Sequence, residues 1–386
     1  MTEPNTPPLK SALPPVDTGP RVDGSAVLDE VEAFHRRFNV FPLEAAYVAV
    51  TLWDAHAHLL DCFGSTPRLA FLSPEPGSGK SRALEIVETL VPRAMPVVTP
   101  SAAALFRSVG VDLGERPTVL FDEVDAVYGP KASGNEELRG WLNAGHKRAG
   151  VIPRCTGEGG NVTVVQFRCF CAVALAGLGS LPDTVLTRSV IIRMRRRAPN
   201  EHVEPFRDRL HTAEGHALRG RLAEWADTVR EQVAEAWPVM PEGVIDRPAD
   251  VWEPLIAVAD AAGGDWPERA RAACLELVTA SAANDKGSVG IRLLTDLRDT
   301  VFDGADRMPT ASIISALTAM DDAPWGDMDG RPLDARGLAR WLKEYVTADN
   351  SPIIARNIRT TSGMVVRGYY ASDLSDAWAR YCPPLS

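Results

Sequence analysis

The chain has 386 residues and a mass of 41.7 kDa, enough for two to three domains at roughly 150 residues each. Hydrophobic residues at 45% and charged ones at 24% exclude wholesale disorder and a fibre. With 41 Lys+Arg against 51 Asp+Glu the formal net charge is -10, which argues against coating DNA by bulk charge; nucleic-acid contact must come from local basic patches.

Residues 1–24 are rich in Pro, Thr and Ser and read as a disordered tail; MTEPNTPPLKSALPPVDTGP has no apolar core and does not read as a signal peptide. No stretch reaches membrane-spanning length, so a cytoplasmic chain without a membrane partner is expected. An N-terminal helical segment (25–66) follows, with Val27, Leu28, Val31 and Phe34 at helical spacing and Pro42 opening a second helix to about Cys62. From 67 to 198, short apolar runs alternate with helical patterns, the rhythm of an α/β fold with a parallel sheet. Within it, Val151–Thr156 and Asn161–Phe167 flank Gly157-Glu158-Gly159-Gly160 and read as a hairpin. Residues 199–286 read as a helical lid, and 287–386 as three helices, a hairpin (Ile354–Thr360 and Met364–Tyr370) and a closing helix. The six cysteines form no CxxC pair and read as reduced core thiols.

The informative segment is Ser73-Pro74-Glu75-Pro76-Gly77-Ser78-Gly79-Lys80-Ser81, which follows a strand and opens a helix. In that context Gly77, Ser78 and Gly79 let backbone amides surround phosphates, Lys80 reaches the β- and γ-phosphates of ATP, and Ser81 binds Mg²⁺. Pro74 stands where this P-loop pattern has its first glycine. Some 40 residues on, Thr118–Phe121 ends in Asp122-Glu123: Asp122 fits the Mg²⁺-binding acid and Glu123 the base that orients an attacking water. A strand pattern at Met95–Val98 lies between the two, the chain order of AAA+-like ATPases with an inserted strand. Hydrolysis needs positive charge at the γ-phosphate, often from a neighbouring subunit; Arg188 is the expected finger, with a helix C-terminal arginine stabilising the dipole as the alternative account. Ser180 is placed as a polar sensor and Arg247 as a second sensor, with Arg269 and Arg271 competing.

The blocks PRLAFLSPEPGSGKSRALE, TVLFDEVDAVYG, NEELRGWLNAGHKRAG, VALAGLGSLPDTVLTRSVIIRMRRR and RPADVWEPLIAVADAAGGDWPERAR resemble a P-loop family of actinobacteria, their phages and mobile elements, catalogued as a domain of unknown function. The resemblance runs from about Val27 to the C-terminus and implies an AAA+-like ATPase of DNA metabolism, associated with primase–helicase-type proteins.

Three basic features bear on nucleic acid. Lys147, Arg148 and Arg154 stand at the base of the 151–167 hairpin, which in one AAA+ clade projects into a ring pore, although Glu158 at the tip weakens that analogy. Arg193, Arg195 and Arg197 share a face if their strand continues; a solvated strand edge explains them as well. In the winged-helix-like C-terminal domain, Arg336, Arg340 and Lys343 form one stripe on a helix at about 333–346, opposite Leu338, Leu342 and Tyr345, ahead of Arg356, Arg359 and Arg367 on the hairpin. His56 and His58, two apart on a helix, face different directions and read as structural; Trp252, Trp266, Trp325 and Trp378 read as core anchors.

These residues point to a Mg-ATP-hydrolysing, homo-oligomeric ring, expected as a hexamer, that moves along single-stranded or forked DNA as a helicase-like motor in phage or mobile-element replication, with replication proteins as further partners. The alternative is an ATP-dependent loader or switch that remodels a protein partner at DNA; a P-loop kinase suits the Asp-Glu pair and the long C-terminal regions less well. No priming domain fits before Val27, so priming is expected from another chain.

Overall fold

The computed structural model describes residues 22–98, 100–110, 116–128, 135–156, 163–179, 181–284, 289–320, 323–328, 331–359 and 363–382. The chain divides into two units, Met1–Ser281 and Ala282–Ser386.

In the first unit Asp23 caps α1 (Gly24–Phe38), its side chain accepting the Ala26 N–H at 3.3 Å. α2 (Glu44–His58) follows Pro42 and ends in a 3₁₀ turn at Leu60–Cys62. Then come β1 (Arg68–Ser73), α3 (Lys80–Leu90), β2 (Ala94–Val97), α4 (Ala102–Gly110), β3 (Thr118–Phe121), α5 (Asp125–Tyr128) and α6 (Glu136–Ala144). β4 (Val151–Thr156) and β5 (Thr163–Arg168) pair antiparallel as the expected hairpin, with Cys155 opposite Val164; its tip, Glu158 included, lies outside the described residues. β6 (Val173–Leu178), α7 (Asp183–Leu186), β7 (Ser189–Arg193), α8 (Asp208–Ala234), α9 (Asp246–Ala262) and α10 (Trp266–Asn284) follow.

β1, β2, β3, β6 and β7 make one parallel sheet in the order β2-β3-β6-β1-β7. The strand seated between β1 and β3 is therefore β6, while β2, which separates them in sequence, lies at the edge. Every residue of β1 is buried, as in a parallel sheet covered on both faces. Alternation divides the strand between two cores: Leu69 and Phe71 join the core of α1, α2, α3 and α8–α10, and Ala70 and Leu72 join Phe106, Phe121 and Trp141. The N-terminal helices thus share one hydrophobic core with α8–α10. β7 stops at Arg193, so Arg195 and Arg197 do not extend its face; Arg195 turns to Glu201 at 3.5 Å.

The second unit has α11 (Val289–Asp296) running into a π-helical turn (Leu297–Phe302), then β8 (Arg307–Pro309), α12 (Thr310–Thr318), α13 (Ala335–Leu342), β9 (Arg356–Arg359), β10 (Val365–Tyr370) and α14 (Ala371–Tyr381). Its three strands pair antiparallel in the order β8-β10-β9 over a core that includes Leu293, Phe302, Trp325, Leu338 and Tyr369. Trp325 donates its indole N–H to Asp296 at 2.7 Å. The sequence reading has no counterpart to β8, which is three residues long. α13 is shorter than its apolar spacing suggested: it ends at Leu342, and Lys343 follows as the C-cap.

Among the described residues no helix is long and apolar enough to cross a membrane.

Candidate functional site

The site is built on the C-terminal end of the parallel sheet. After Ser73 the chain must turn from strand to helix within six residues, and it does so through Gly77 (φ +77°) and Gly79 (φ +87°) in the left-handed region that side chains resist. Gly79 is the N-cap of α3, and its carbonyl accepts the Ala83 N–H at 2.9 Å. The amides of Lys80, Ser81 and Arg82 consequently have no intrahelical partner. They project from the positive end of the helix dipole, an arrangement suited to an anion.

Lys80 folds onto the loop: its ammonium donates to Ser73 Oγ at 2.6 Å and Ser78 Oγ at 3.3 Å, and the Ser78 hydroxyl donates to Ser73 Oγ at 2.9 Å. Burial pulls the Lys80 ammonium below its ordinary value, against the opposing influence of Asp122 and Asp125. Those carboxylates follow the end of β3, Asp122 directly and Asp125 as the first residue of α5. β6 alone separates β3 from β1, so the two ends lie about 10 Å apart at roughly 4.8 Å per strand. Asp122 accepts the Glu123 amide at 2.9 Å. Glu123 is exposed and adopts φ +57°, a conformation uncommon outside glycine and concentrated at functional sites. Asp125 accepts the Leu178 N–H at 2.9 Å, and Gly179 donates its N–H to the Ser73 carbonyl at 2.9 Å, so the end of β6 is tied both to the acidic loop and to the base of the glycine-rich loop. Ser180, the expected sensor, lies outside the described residues.

A cavity of about 310 Å³ adjoins the loop, with Gly77, Gly79, Asn39, Val40, Met194 and Phe206 in its walls. Arg196 donates Nε–H to the Pro76 carbonyl at 2.9 Å. Sequence reasoning missed the contributions of Asp125, Arg196 and the 39–40 connection. Asp125 had a signal, since it stands in the same acidic run as Glu123; Arg196 had none, being 120 residues from the loop it touches.

The other predicted residues fall elsewhere. Arg188 follows α7 and donates to the Thr184 carbonyl at 2.5 Å, while its own carbonyl accepts the Arg68 N–H at 2.9 Å at the start of β1. Arg247 donates to Thr187 Oγ1 at 3.1 Å, so it stands beside Arg188 and not beside Lys80. Its place at the start of α9 is set by the packing of α9 on α2 and β7, which carries it to the opposite end of the sheet from the loop. Lys147 sits across a β-bridge from Ser65 at that same end. Arg148 does not join a hairpin patch; it donates to the carbonyls of Phe63 (3.0 Å) and Asp61. Arg154 pairs with Glu137 at 3.4 Å and lies 4.7 Å over the Phe106 ring. In the second unit Arg336, Arg340 and Lys343 are exposed. Arg359 and Arg367 occupy the hairpin face opposite buried Ile358, whereas Arg356 is held by Asp373. His56 meets Thr66 Oγ1 at 3.0 Å and His58 the Leu90 carbonyl at 2.8 Å. No set of three or more His, Cys, Asp or Glu side chains converges as a metal site among the described residues.

The fold is of the α/β class, a parallel central sheet with a glycine-rich loop at one strand end and a pair of carboxylates two strands away. The chain belongs to the family described as Protein of unknown function (DUF3631), whose profile matches residues 193–381. A protein of Saccharopolyspora erythraea described as an uncharacterized 28.9 kDa protein in the xis 5′ region is 42% identical over 190 residues, 49% of this chain and 69% of that protein. Among solved structures, the A-form apo structure of the NrS-1 C-terminal region is similar at a TM-score of 0.41 and 11% identity, over 89% of this chain and 75% of that one, a likeness too distant to carry an assignment. The family match begins at the last residue of β7, so it takes in α8–α14 and leaves out the glycine-rich loop; the resemblance read from sequence reaches further, to about Val27.

Proposed function

We propose that the chain is a Mg-ATP-hydrolysing P-loop ATPase of AAA+-like architecture, working as a homo-oligomer that moves along or remodels DNA. The observation that carries the reading is the opposition of two strand ends: left-handed Gly77 and Gly79 presenting Lys80 and the free amides of α3, and Asp122-Glu123 two strands away. The sheet order β2-β3-β6-β1-β7, with β6 seated between the loop strand and the acidic strand, supports the AAA+-like assignment.

Each residue then has a role. The α3 amides and Lys80 bind the phosphates, and the 310 Å³ cavity beside the loop takes the nucleoside. Ser81 is exposed, and Asp122 uses one carboxylate oxygen on its neighbour's amide and leaves the other open; a hydroxyl and a carboxylate are the hard oxygen donors that Mg²⁺ prefers. Bound there, Mg²⁺ supplies charge neutralisation at the phosphates. Glu123, turned outward by its positive φ, orients and deprotonates the attacking water.

For DNA, the support comes from the second unit, whose order of helix, short strand, two helices and a hairpin is that of a winged helix, with Arg336, Arg340 and Lys343 exposed. The relative described by its place beside xis supports a mobile-element setting. Turnover of ATP and oligomeric state, measured with and without single-stranded DNA, test the reading. DNA is expected to stimulate turnover severalfold, and Glu123→Gln to lower it by about 10²–10⁴-fold while nucleotide still binds. A rate indifferent to DNA replaces the motor with a switch acting on a protein partner; full turnover in Glu123→Gln removes that residue from the chemistry.

A further inference from the structure

Beyond the glycine-rich loop, the 310 Å³ cavity has Phe38, Val40, Met194 and Phe206 in its walls, and Asn39 among them. We infer that Asn39 reads the nucleobase: its amide oxygen accepts the exocyclic amine of a 6-aminopurine and rejects a 6-oxopurine, and a buried His35–Asp54 pair fixes the amide in that sense. The inference rests on the proposed ATPase reading and carries it from the phosphates held by the loop to the base.

The orientation of the Asn39 amide follows from its partners. Asn39 is the C-cap of α1, and its backbone is fully used: the N–H donates to the His35 carbonyl at 2.9 Å and the carbonyl accepts the Tyr47 hydroxyl at 3.0 Å. The residue is only 3% exposed, so its side-chain amide must find partners in the protein or in the cavity. The amide nitrogen lies 3.4 Å from His35 Nδ1. That nitrogen can only donate, so Nδ1 accepts and the ring proton sits on Nε2, where Asp54 Oδ2 accepts it at 2.6 Å. His35 and Asp54 are both wholly buried, so water does not compete for either end of the ring. The Asn39 oxygen is thereby turned from the ring; it takes no protein donor among the described residues and is not sealed away as a buried orphan. A buried polar pair costs desolvation that an apolar pair would avoid, and holding this amide gives the pair a use.

The rest of the cavity leaves this role to Asn39. Ser78 donates to Ser73, Arg82 pairs with Glu85 at 2.5 Å, and Glu204 holds Arg37 at 3.2 Å and His211 at 3.0 Å. Arg197 is exposed, and its full charge suits a phosphate better than the edge of a base. Phe38 and Phe206 stand with ring centroids 5.1 Å apart at 90°, giving a flat heterocycle apolar surface to lie against. Adenine and the 6-oxopurines differ at position 6, where an amine donates in the first and a carbonyl accepts in the others. Against Asn39 Oδ1 the amine makes a hydrogen bond, whereas the carbonyl leaves two acceptors facing each other without a proton.

Equilibrium binding of ATP, ITP and GTP, each carrying a fluorophore on the ribose, tests this on the full chain. ITP differs from ATP in the purine only by the exchange at position 6 and the proton it places on N1, so it isolates the group that Asn39 meets. The wild type is expected to bind ATP about tenfold or more tighter than ITP or GTP. Asn39→Ala should weaken ATP by about tenfold and leave ITP within about twofold, so the preference collapses. His35→Phe/Asp54→Leu removes both buried partners together, which limits the loss of stability, and should shrink the ratio of ATP to ITP affinity without touching the loop. An unchanged ratio in that double variant overturns the positioning role of the pair. A wild type that binds ATP and ITP alike, or an Asn39→Ala chain that keeps the preference, overturns Asn39 as the reader and leaves the ATPase standing. The wild-type comparison needs no substitution and decides the matter even where a variant fails to fold. A preference for ITP and GTP also overturns it and hands the base to the donors of Arg197. No binding of any of the three would instead remove the ATPase reading, and this inference with it.

Discussion

The two ends of β1 hold cations in opposite ways. At the first residue, Arg68 is only 1% exposed and has no carboxylate; it donates to the Cys171 carbonyl at 2.7 Å and the Leu142 carbonyl at 3.1 Å, and burial lowers its pKa. Gly145 makes room for it, since a Cβ there would fall 2.4 Å from the Cys169 carbonyl oxygen and 3.0 Å from the Arg68 guanidinium. Past the last residue, Lys80 rests on serine hydroxyls and can leave them for a stronger acceptor. A buried cation on fixed carbonyls organises the fold, whereas a half-exposed cation on hydroxyls, or on nothing, is set to meet an anion. Arg247, held by the Thr187 hydroxyl, is of the second kind although it lies at Arg68's end of the sheet, and Arg188 beside it rests on the Thr184 carbonyl.

The largest expected effect breaks the loop end. Lys80→Ala should cut ATP turnover by about 10²–10³-fold and weaken nucleotide binding, with the melting temperature nearly unchanged because the Ser78 hydroxyl still donates to Ser73 Oγ and the Ser73 hydroxyl to the Glu75 carbonyl. Retained turnover, measured by phosphate release, would mean that the glycine-rich end is not the reacting end.

Acid should act on the other end. Burial lowers His56 to about 3 and His58 to about 4, and His56 anchors Thr66 just ahead of β1. Their folded values lie below the unfolded value near 6.5, so the unfolded chain binds more protons between those limits. Stability therefore rises with pH through that window and is lost as pH falls from about 6.5 towards 4. Each imidazole is expected to contribute a loss on the order of 2 kcal/mol at pH 5. Urea midpoints at pH 7 and pH 5 measure it, and an unchanged midpoint would show that neither ring is kept neutral by burial.

Arg68 sharpens the contrast from within the fold. Arg68→Ala should cost about 2–4 kcal/mol, because it strands two buried carbonyls and opens a cavity. Arg68→Met should cost less, since removing a buried charge also removes its desolvation penalty. Equal losses in the two variants, read from denaturant unfolding, would contradict that account.

Local chemistry made one end of the sheet legible in the sequence and left the other hidden. The loop announces itself because Gly77, Gly79, Lys80 and Ser81 are contiguous and lie between a strand and a helix, and Asp122-Glu123 because an apolar run ends there. The hairpin β4–β5 and α1, α2 and α13 follow from apolar spacing, with ends off by a few residues where a cap intervenes, as at Leu342–Lys343. Sheet order is not local: nothing in the sequence seats β6 beside β1 instead of β2. Lys147, Arg188 and Arg247 illustrate the same limit, since they line one cavity from three segments joined only by tertiary packing. Arg154 reads as a free basic residue until Phe106 and Glu137 are seen to occupy it.

The smallest expected effect concerns cations that are neither buried nor gathered in a cavity. On α13, Asp334 caps the helix by accepting the Gly337 N–H at 2.6 Å, and Arg336, Arg340 and Lys343 stand in solvent around its outer turns. If they meet DNA phosphates, each contributes a screened contact, so Arg336→Ala/Arg340→Ala/Lys343→Ala should weaken DNA binding by about tenfold at low salt and flatten the salt dependence by up to roughly three contacts' worth of slope. Arg356 is the internal control: its guanidinium is committed to Asp373 and lies 4.8 Å over the Tyr370 ring, so Arg356→Ala should lower the stability of this unit and leave the salt slope unchanged. Fluorescence anisotropy across a salt series separates the two. A flat response to the triple variant would make the α13 stripe an ordinary solvated helix face, and a slope change in Arg356→Ala would mean that Asp373 releases its partner to DNA.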